Sequence, residues 1–442
     1  MVKKTIVGTG RTASATLKHS SIQAFRHSKW YDSLQYSVLW LTVAAVVVNW
    51  RAGLWMTMLL LLVTIVKIIA QRKIGNPALS RMQRWALCAP IVYWLVLALS
   101  LLWTTDLHTG LEVLRLKAVL LVCPLCFLLS DTSYFNSHFS ISNLQYPLLL
   151  ALCGSFAYFA LKAGLAVQQG TSFLAFQTAF FENRDVGEVY HHAYIALYAV
   201  VAIVFVYFNL VSRWKTMKGW LRALLILSLP LLICYVVVVN SRAGMLAMGL
   251  TLLACVVHLI VMRRNWKLGL GVSLLAVVSV VAATQLVPGY TDRITSTLEN
   301  VQSDARTSIN RCNWHAYCKS PLLGYGVGDY HVRQVEQYTE DGFENGANAS
   351  FNAHNQYLES LLAAGIPGLL ALLLLLLSPL LTTQTLKHSS IQAFITAVLL
   401  FNLLFESMLE RQMGLLFVGW LLPAMVLILS EEENKFARSP KS

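Results

Sequence analysis

Charge is what this sequence has least of. Lysine, arginine, aspartate and glutamate together supply 12% of 442 residues, whereas a soluble domain carries about 25% to cover its surface. That shortage excludes a chain whose whole surface faces water, and most of the surface must face lipid instead. Acidic residues are scarcer than basic ones, 21 against 34, for a formal charge of +13. An excess of that sign suits nucleic acid, but in a membrane protein Lys and Arg gather in cytoplasmic loops for topological reasons, so no nucleic-acid partner is expected. A polar stretch long enough for a separate soluble domain is also missing, the segment 288–355 excepted. Residues 1–34 are basic and polar, with no apolar core followed by a small-residue cleavage site; the first apolar run is expected to act as an uncleaved anchor.

What is abundant is apolar sequence, 57% of the chain, with a mean hydropathy of +0.60. A spanning helix takes about 20 apolar residues. Runs that approach this length are 35–50, 53–70, 85–103, 115–130, 145–165, 191–210, 223–240, 243–262, 268–287, 356–381, 391–409 and 412–430. The expected fold is therefore an all-α polytopic bundle of about twelve transmembrane helices. Loops 71–84, 211–222 and 263–267 are rich in Lys and Arg and fall on one side together with the N-terminus, which marks that side as cytoplasmic. The expected organisation is a cytoplasmic N-terminal segment 1–34, helices 1–9 over 35–287, a large outer loop 288–355, helices 10–12 over 356–430 and a cytoplasmic tail 431–442. The large loop has five Lys and Arg against eight Asp and Glu, a balance of −3. It is no basic lipid-binding patch, and its spacing of Ile294, Leu298 and Val301 predicts short amphipathic helices on the membrane surface.

Six of the eight cysteines lie in or beside apolar runs and read as core residues. Cys312 and Cys318 share the outer loop, where their spacing permits a disulfide without specifying one. The decamer Thr16–Phe25 recurs identically at Thr385–Phe394 and carries no evident chemistry.

Individual residues carry the functional signal. Arg242 stands in Asn240-Ser241-Arg242-Ala243-Gly244 between two apolar runs. It is either a side chain that snorkels to the interface or a phosphate clamp, for which guanidinium has a fixed fork of donors. Arg306 and Arg311 precede Ser320-Pro321-Leu322-Leu323-Gly324-Tyr325-Gly326. The glycines 324, 326 and 328 lack a strand–turn–helix setting for nucleotide binding, and read as a place where the backbone turns sharply or approaches a ligand closely. His354 lies in Asn352-Ala353-His354-Asn355-Gln356-Tyr357-Leu358-Glu359, where amides on both sides and the Glu359 carboxylate suit a general base. Arg184 follows Glu182 and Asn183 just ahead of Tyr190-His191-His192-Ala193-Tyr194. Adjacent helix positions point in different directions and no HExxH or paired-cysteine pattern accompanies these histidines, so no metal site is expected there.

Taken together, these segments resemble the O-antigen ligase family, within the superfamily that also holds O-antigen polymerases and protein O-oligosaccharyltransferases. The matching features are Ser241-Arg242, the arginine upstream of Pro-Leu-x-Gly-x-Gly, and the Asn-x-His-Asn-x-Tyr-Leu element, over roughly residues 240–365. Counted back from Pro321, the family's loop arginine falls on Arg306. The Trp usual four residues after it is Asn310 here, with Trp314 nearest, and Tyr190–Tyr194 looks like a His-Pro-x-Tyr variant with Ala193 in place of Pro.

The resemblance implies a metal-independent, cofactor-free inverting glycosyltransferase of the bacterial inner membrane, with both termini cytoplasmic and its site facing the periplasm. It would move a glycan from undecaprenyl diphosphate to a lipid A-core hydroxyl. His354, Arg306 and Arg242 would be catalytic, and Arg184, Arg311, His192, Tyr194 and Asn355 would bind substrate. A polymerase or a protein O-oligosaccharyltransferase uses the same donor. A transporter is the alternative from another class, but it predicts inverted repeats and midplane charges.

Overall fold

The computed structural model describes residues 10–132, 143, 145–182, 191–286, 305–382 and 390–438. Among them the chain is all α, with no strand. Its helices are α1 (Gly10–Val48), α2 (Trp50–Gln71), α3 (Arg81–Leu99), α4 (Leu107–Leu116), α5 (Val119–Leu128), α6 (Gln145–Gln168), α7 (Phe173–Glu182), α8 (His192–Arg213), α9 (Gly219–Val239), α10 (Arg242–Val257), α11 (Trp266–Leu286), α12 (Ala305–Lys319), α13 (Tyr330–Glu340), α14 (Glu344–Ala349), α15 (Gln356–Leu377), α16 (Ser390–Asn402) and α17 (Gln412–Arg438).

Eight of the twelve expected spans are helices long and apolar enough to cross a membrane. The other four correspond to shorter apolar helices, Val119–Leu128, Trp266–Ala282, Ile391–Asn402 and Gln412–Leu427. The chain is a polytopic helical membrane protein. Local chemistry sets the starts of its helices. Asn49 caps α2 by accepting from Arg51 N, Ser80 and Gln83 form a reciprocal capping box on α3, and Asp106 caps α4.

Helix α8 is the centre of the bundle. It packs on α6, α9, α10 and α16, and every residue from Ala193 to Asn209 is buried. A helix that is apolar all round must sit inside other protein. By contrast α2, α6 and α11 keep rows of exposed leucines, valines and isoleucines, Leu62, Ile69, Leu150, Leu161, Leu270 and Leu274 among them, as a lipid-facing layer requires.

Two expectations are corrected, and one open point is answered. The segment 104–114, expected as loop, is mostly helix α4, and the span expected over 115–130 is reduced to the ten residues of α5. The helix breaks at Lys117, whose ammonium turns inward to an ion pair with Glu410 at 2.6 Å. The helix expected over 391–409 ends at Asn402, and 403–411 is a turn in which Glu406 and Glu410 have their own partners. Cys312 and Cys318 are both free, one buried and one exposed. They lie six residues apart on α12, about 9 Å along its axis, beyond the roughly 7 Å that a disulfide bridges between Cα atoms.

The described part of the segment expected as the large loop, 305–355, holds α12, α13 and α14. Helix α13 buries Tyr330, Gln334, Gln337 and Tyr338, a helical face at i, i+4, i+7 and i+8. The glycine run approaches protein rather than a ligand. A Cβ on Gly324 would strike Leu362 O, one on Gly326 Thr104 Oγ1, and one on Gly328 Asp106 O. The loop is thus threaded between α15 and the corner joining α3 to α4. Asp329 locks it there, accepting from Thr105 N at 2.6 Å and Asp106 N at 2.9 Å. Residues 16–25 of the repeated decamer lie within α1; of the second copy, 385–389 fall outside the described residues.

A carboxylate-centred candidate active site

The turn 403–411 faces the segment 353–359, and the two are joined group by group. Gln356 N donates to Leu403 O at 2.9 Å, Leu409 N donates to Gln356 Oε1 at 2.7 Å, and Asn355 N donates to Ser407 Oγ at 3.1 Å. Glu359 accepts from Ala353 N at 2.7 Å, from Ser407 Oγ at 3.1 Å and from Gln334 Nε2 at 3.3 Å. Asn355 caps α15 by accepting from Tyr357 N and Leu358 N. With its neighbours held on both sides, His354 occupies the left-handed region, φ 45°. A non-glycine residue pays about 1–3 kcal/mol of strain there and persists only where the surroundings dictate it.

At the centre stands Glu406, with only 7% of its side chain exposed. Its Oε1 lies 3.2 Å from His354 Nδ1 and its Oε2 lies 3.8 Å from the Arg306 guanidinium. Burial raises the Glu406 pKa, but the hydrogen bond from His354 and the nearby Arg306 guanidinium help to outweigh it and hold the carboxyl below its usual range. An ionised carboxylate only accepts, so Nδ1 of His354 is the donor, and in the neutral imidazole Nε2 is then the nitrogen with the lone pair. The carboxylate partner of His354 is therefore Glu406, not Glu359, whose oxygens are taken by other donors.

Beside this group His191 and His192 stack at 4.4 Å between ring centroids, and His191 meets Tyr194 edge-on at 5.3 Å. Burial, then His192, lowers the His191 pKa to about 3, so it is neutral at ordinary pH. His191 Nδ1 and the fully buried Tyr194 hydroxyl have no hydrogen-bond partner among the described residues.

A second buried carboxylate braces the turn. Glu410 pairs with Lys117 at 2.6 Å and accepts from Tyr330 Oη and Gln356 Nε2, each at 2.9 Å. Lys117 Nζ also donates to Leu409 O at 2.7 Å. One turn is thereby tied to the start of α5, to α13 and to α15.

Of the residues expected from the sequence, His354 and Arg306 are brought together on Glu406. His192 and Tyr194 lie in the first turn of α8, beside His191 at its N-cap. Asn355 spends its side-chain oxygen on the helix cap. Arg242 is the exposed first residue of α10, which packs along α8 through the close contact of Gly244 with Ala196. Arg311 is exposed on α12. Arg184 lies outside the described residues. Sequence reading missed Glu406, His191, Lys117 and Glu410. Glu406 had a signal, a carboxylate inside an apolar run, which is costly enough to mark function. Among the described residues no three His, Cys, Asp or Glu side chains form a group that would hold a metal ion.

Residues 227–373 match the family model described as O-antigen ligase. Comparison with curated proteins found no match. The matched segment runs from α9 into α15 and contains Arg242, Arg306 and His354, whereas Lys117, His191, Glu406 and Glu410 lie outside it.

Proposed function

From a polytopic membrane protein that carries an O-antigen ligase family domain, we propose an O-antigen ligase that transfers a glycan from undecaprenyl diphosphate to a sugar hydroxyl of lipid A-core. The site faces the periplasm and both termini are cytoplasmic. The acceptor hydroxyl gives its proton to His354 Nε2, and its oxygen attacks the anomeric carbon from the side opposite the diphosphate. The carbon–oxygen bond to the diphosphate breaks, and the lipid diphosphate leaves with the electron pair. One bond forms as one breaks, with inversion.

Glu406 acts through His354. It fixes the tautomer that leaves Nε2 as base and stabilises the imidazolium that forms. Arg306 is beside it, and Arg242 with Arg184 or Arg311 completes the cationic side, where leaving-group charge develops. His192, in the first turn of α8, contributes to substrate binding, whereas Tyr194 is fully buried and acts from behind it. The observation that carries this reading is one buried carboxylate with a histidine on one oxygen and an arginine on the other, which juxtaposes a base and a phosphate-binding cation.

The test is the lipopolysaccharide profile of a deletion strain complemented with single variants. A ligase predicts loss of long glycan from lipid A-core while long lipid-linked chains accumulate, with no rescue by His354→Ala or Arg306→Ala. Core capped by a single repeat unit would instead indicate the polymerase, which shares the donor. A normal ladder sinks both.

A further inference from the structure

Helix α15 is broken inside its apolar stretch. Ala364 (φ −141°, ψ 19°) and Gly365 (φ 62°, ψ −151°) leave helical geometry, so carbonyls before the break lose their partners. The turn that follows α12 supplies them. Tyr325 N donates to Leu362 O at 2.7 Å and Gly326 N to Ala363 O at 3.1 Å. Gly324 and Gly365 let the two backbones touch, since a Cβ on either would strike the other strand of chain.

This contact fixes how deep the turn reaches. Gly365 is nine residues past Gln356, the start of a 27-residue apolar span, hence about 14 Å along it at 1.5 Å per residue. The polar group around Glu406 stands at the start of that span. A hydrocarbon layer about 30 Å thick placed on this helix takes in the turn 320–324. The ends of the turn are closed on each other: Gly324 N donates to Ser320 O at 3.1 Å, Ser320 Oγ donates to Gly324 O at 2.8 Å, and Pro321 has no N–H to satisfy. Irregular backbone is tolerated at membrane depth where it is buried against protein, and here the Gly324 backbone lies against Leu362 and Gly365 of α15. Its apolar side chains are exposed, Leu322 at 70% and Leu323 at 50%, as are Ile366 at 41% and Leu370 at 60% on α15 just past Gly365, where the turn's backbone touches that helix. About 9 Å back along α12, Trp314 is 52% exposed and tilts against Tyr317, as amphipathic rings do at a headgroup border.

We propose that Pro321–Leu323 is a re-entrant wedge that contacts the acyl chains of the leaflet on the site's side, so that α12 is anchored in lipid at its foot and presents Arg306 from its other end. The loop is then not a cap lying on the surface. The occupant of this apolar face is phospholipid, because the face continues that of a spanning helix at the same depth. The proposal needs only the membrane-spanning fold and stands apart from the chemistry proposed above.

Leu322, and separately Leu323, replaced by p-benzoylphenylalanine and irradiated in native membranes, should give covalent phospholipid adducts, read by mass spectrometry of the intact protein. The expected yield is at least about tenfold above that at Glu336, an exposed position on α13. Lipid adducts no more frequent than at Glu336, or adducts mainly to another protein, would overturn the wedge.

Discussion

Glu406 and His354 stand 52 residues apart in the chain and meet at 3.2 Å through Oε1 and Nδ1. The segment 353–359 and the turn 403–411 are held by reciprocal hydrogen bonds, so neither residue reaches this distance by itself. The pair gives the imidazole a direction as well as a partner, and the following outcomes follow from it and from the braces around it.

Glu406→Gln keeps the shape and removes the charge that sets the His354 tautomer. A positioned proton acceptor contributes about 10²–10⁴-fold, and transfer in proteoliposomes should fall by about that factor in kcat with KM little changed. Glu359→Gln, whose carboxylate does not touch His354, should leave a much larger residual rate. Equal losses from the two would remove Glu406 from the role assigned to it.

Acid should weaken the fold in two windows. His191 has its pKa lowered to about 3 against about 6.5 unfolded. The unfolded chain therefore binds the extra proton first, and stability is lost as pH falls from about 6.5 toward 3. Glu406 is also depressed, so its contribution is complete above about 4.3, the ordinary glutamate value, and is lost as pH falls through its lower folded value. His191→Phe should flatten the thermal-melt dependence between pH 6.5 and 4.5, where Glu406→Gln should not. A wild-type midpoint independent of pH across that range would contradict the first statement.

Lys117 and Glu410 form a buried pair, 2% and 14% exposed. Removing one member leaves a buried charge and costs about 3–5 kcal/mol, so Lys117→Met should lower the melting temperature in detergent sharply. Adding Glu410→Gln to that variant should recover a good part of the loss. Strictly additive destabilisation would show that the two do not act as a pair.

Gly365 has φ 62° and no room for a Cβ against Leu322 O, while Gly342 has φ 72° and open space around it. Gly342→Ala should cost only the left-handed penalty of about 1–2 kcal/mol. Gly365→Ala should cost more, and should loosen α12 as judged by proteolysis of the 320–326 turn. Similar stability for the two variants would mean that the loop does not lean on the break in α15.

Much of this protein is decided by local pattern. Apolar runs at bilayer length specify an all-α polytopic bundle, because a continuous run of about 20 apolar residues satisfies its own backbone in lipid as a helix. The sequence around Arg242, Arg306 and His354 marks the residues by which the chain resembles O-antigen ligases. Lys117 and Glu406, in contrast, read as charges stranded inside the runs 115–130 and 391–409. Hydropathy averages over such residues, whereas a buried charge takes its meaning from a partner distant in sequence. Only the tertiary structure brings Lys117 to Glu410, Glu406 to His354, and the Gly324–Gly326 backbone to the carbonyls of a broken helix. Those relationships are decided by packing, since desolvated charges and unpaired carbonyls must find partners wherever the fold brings them within reach.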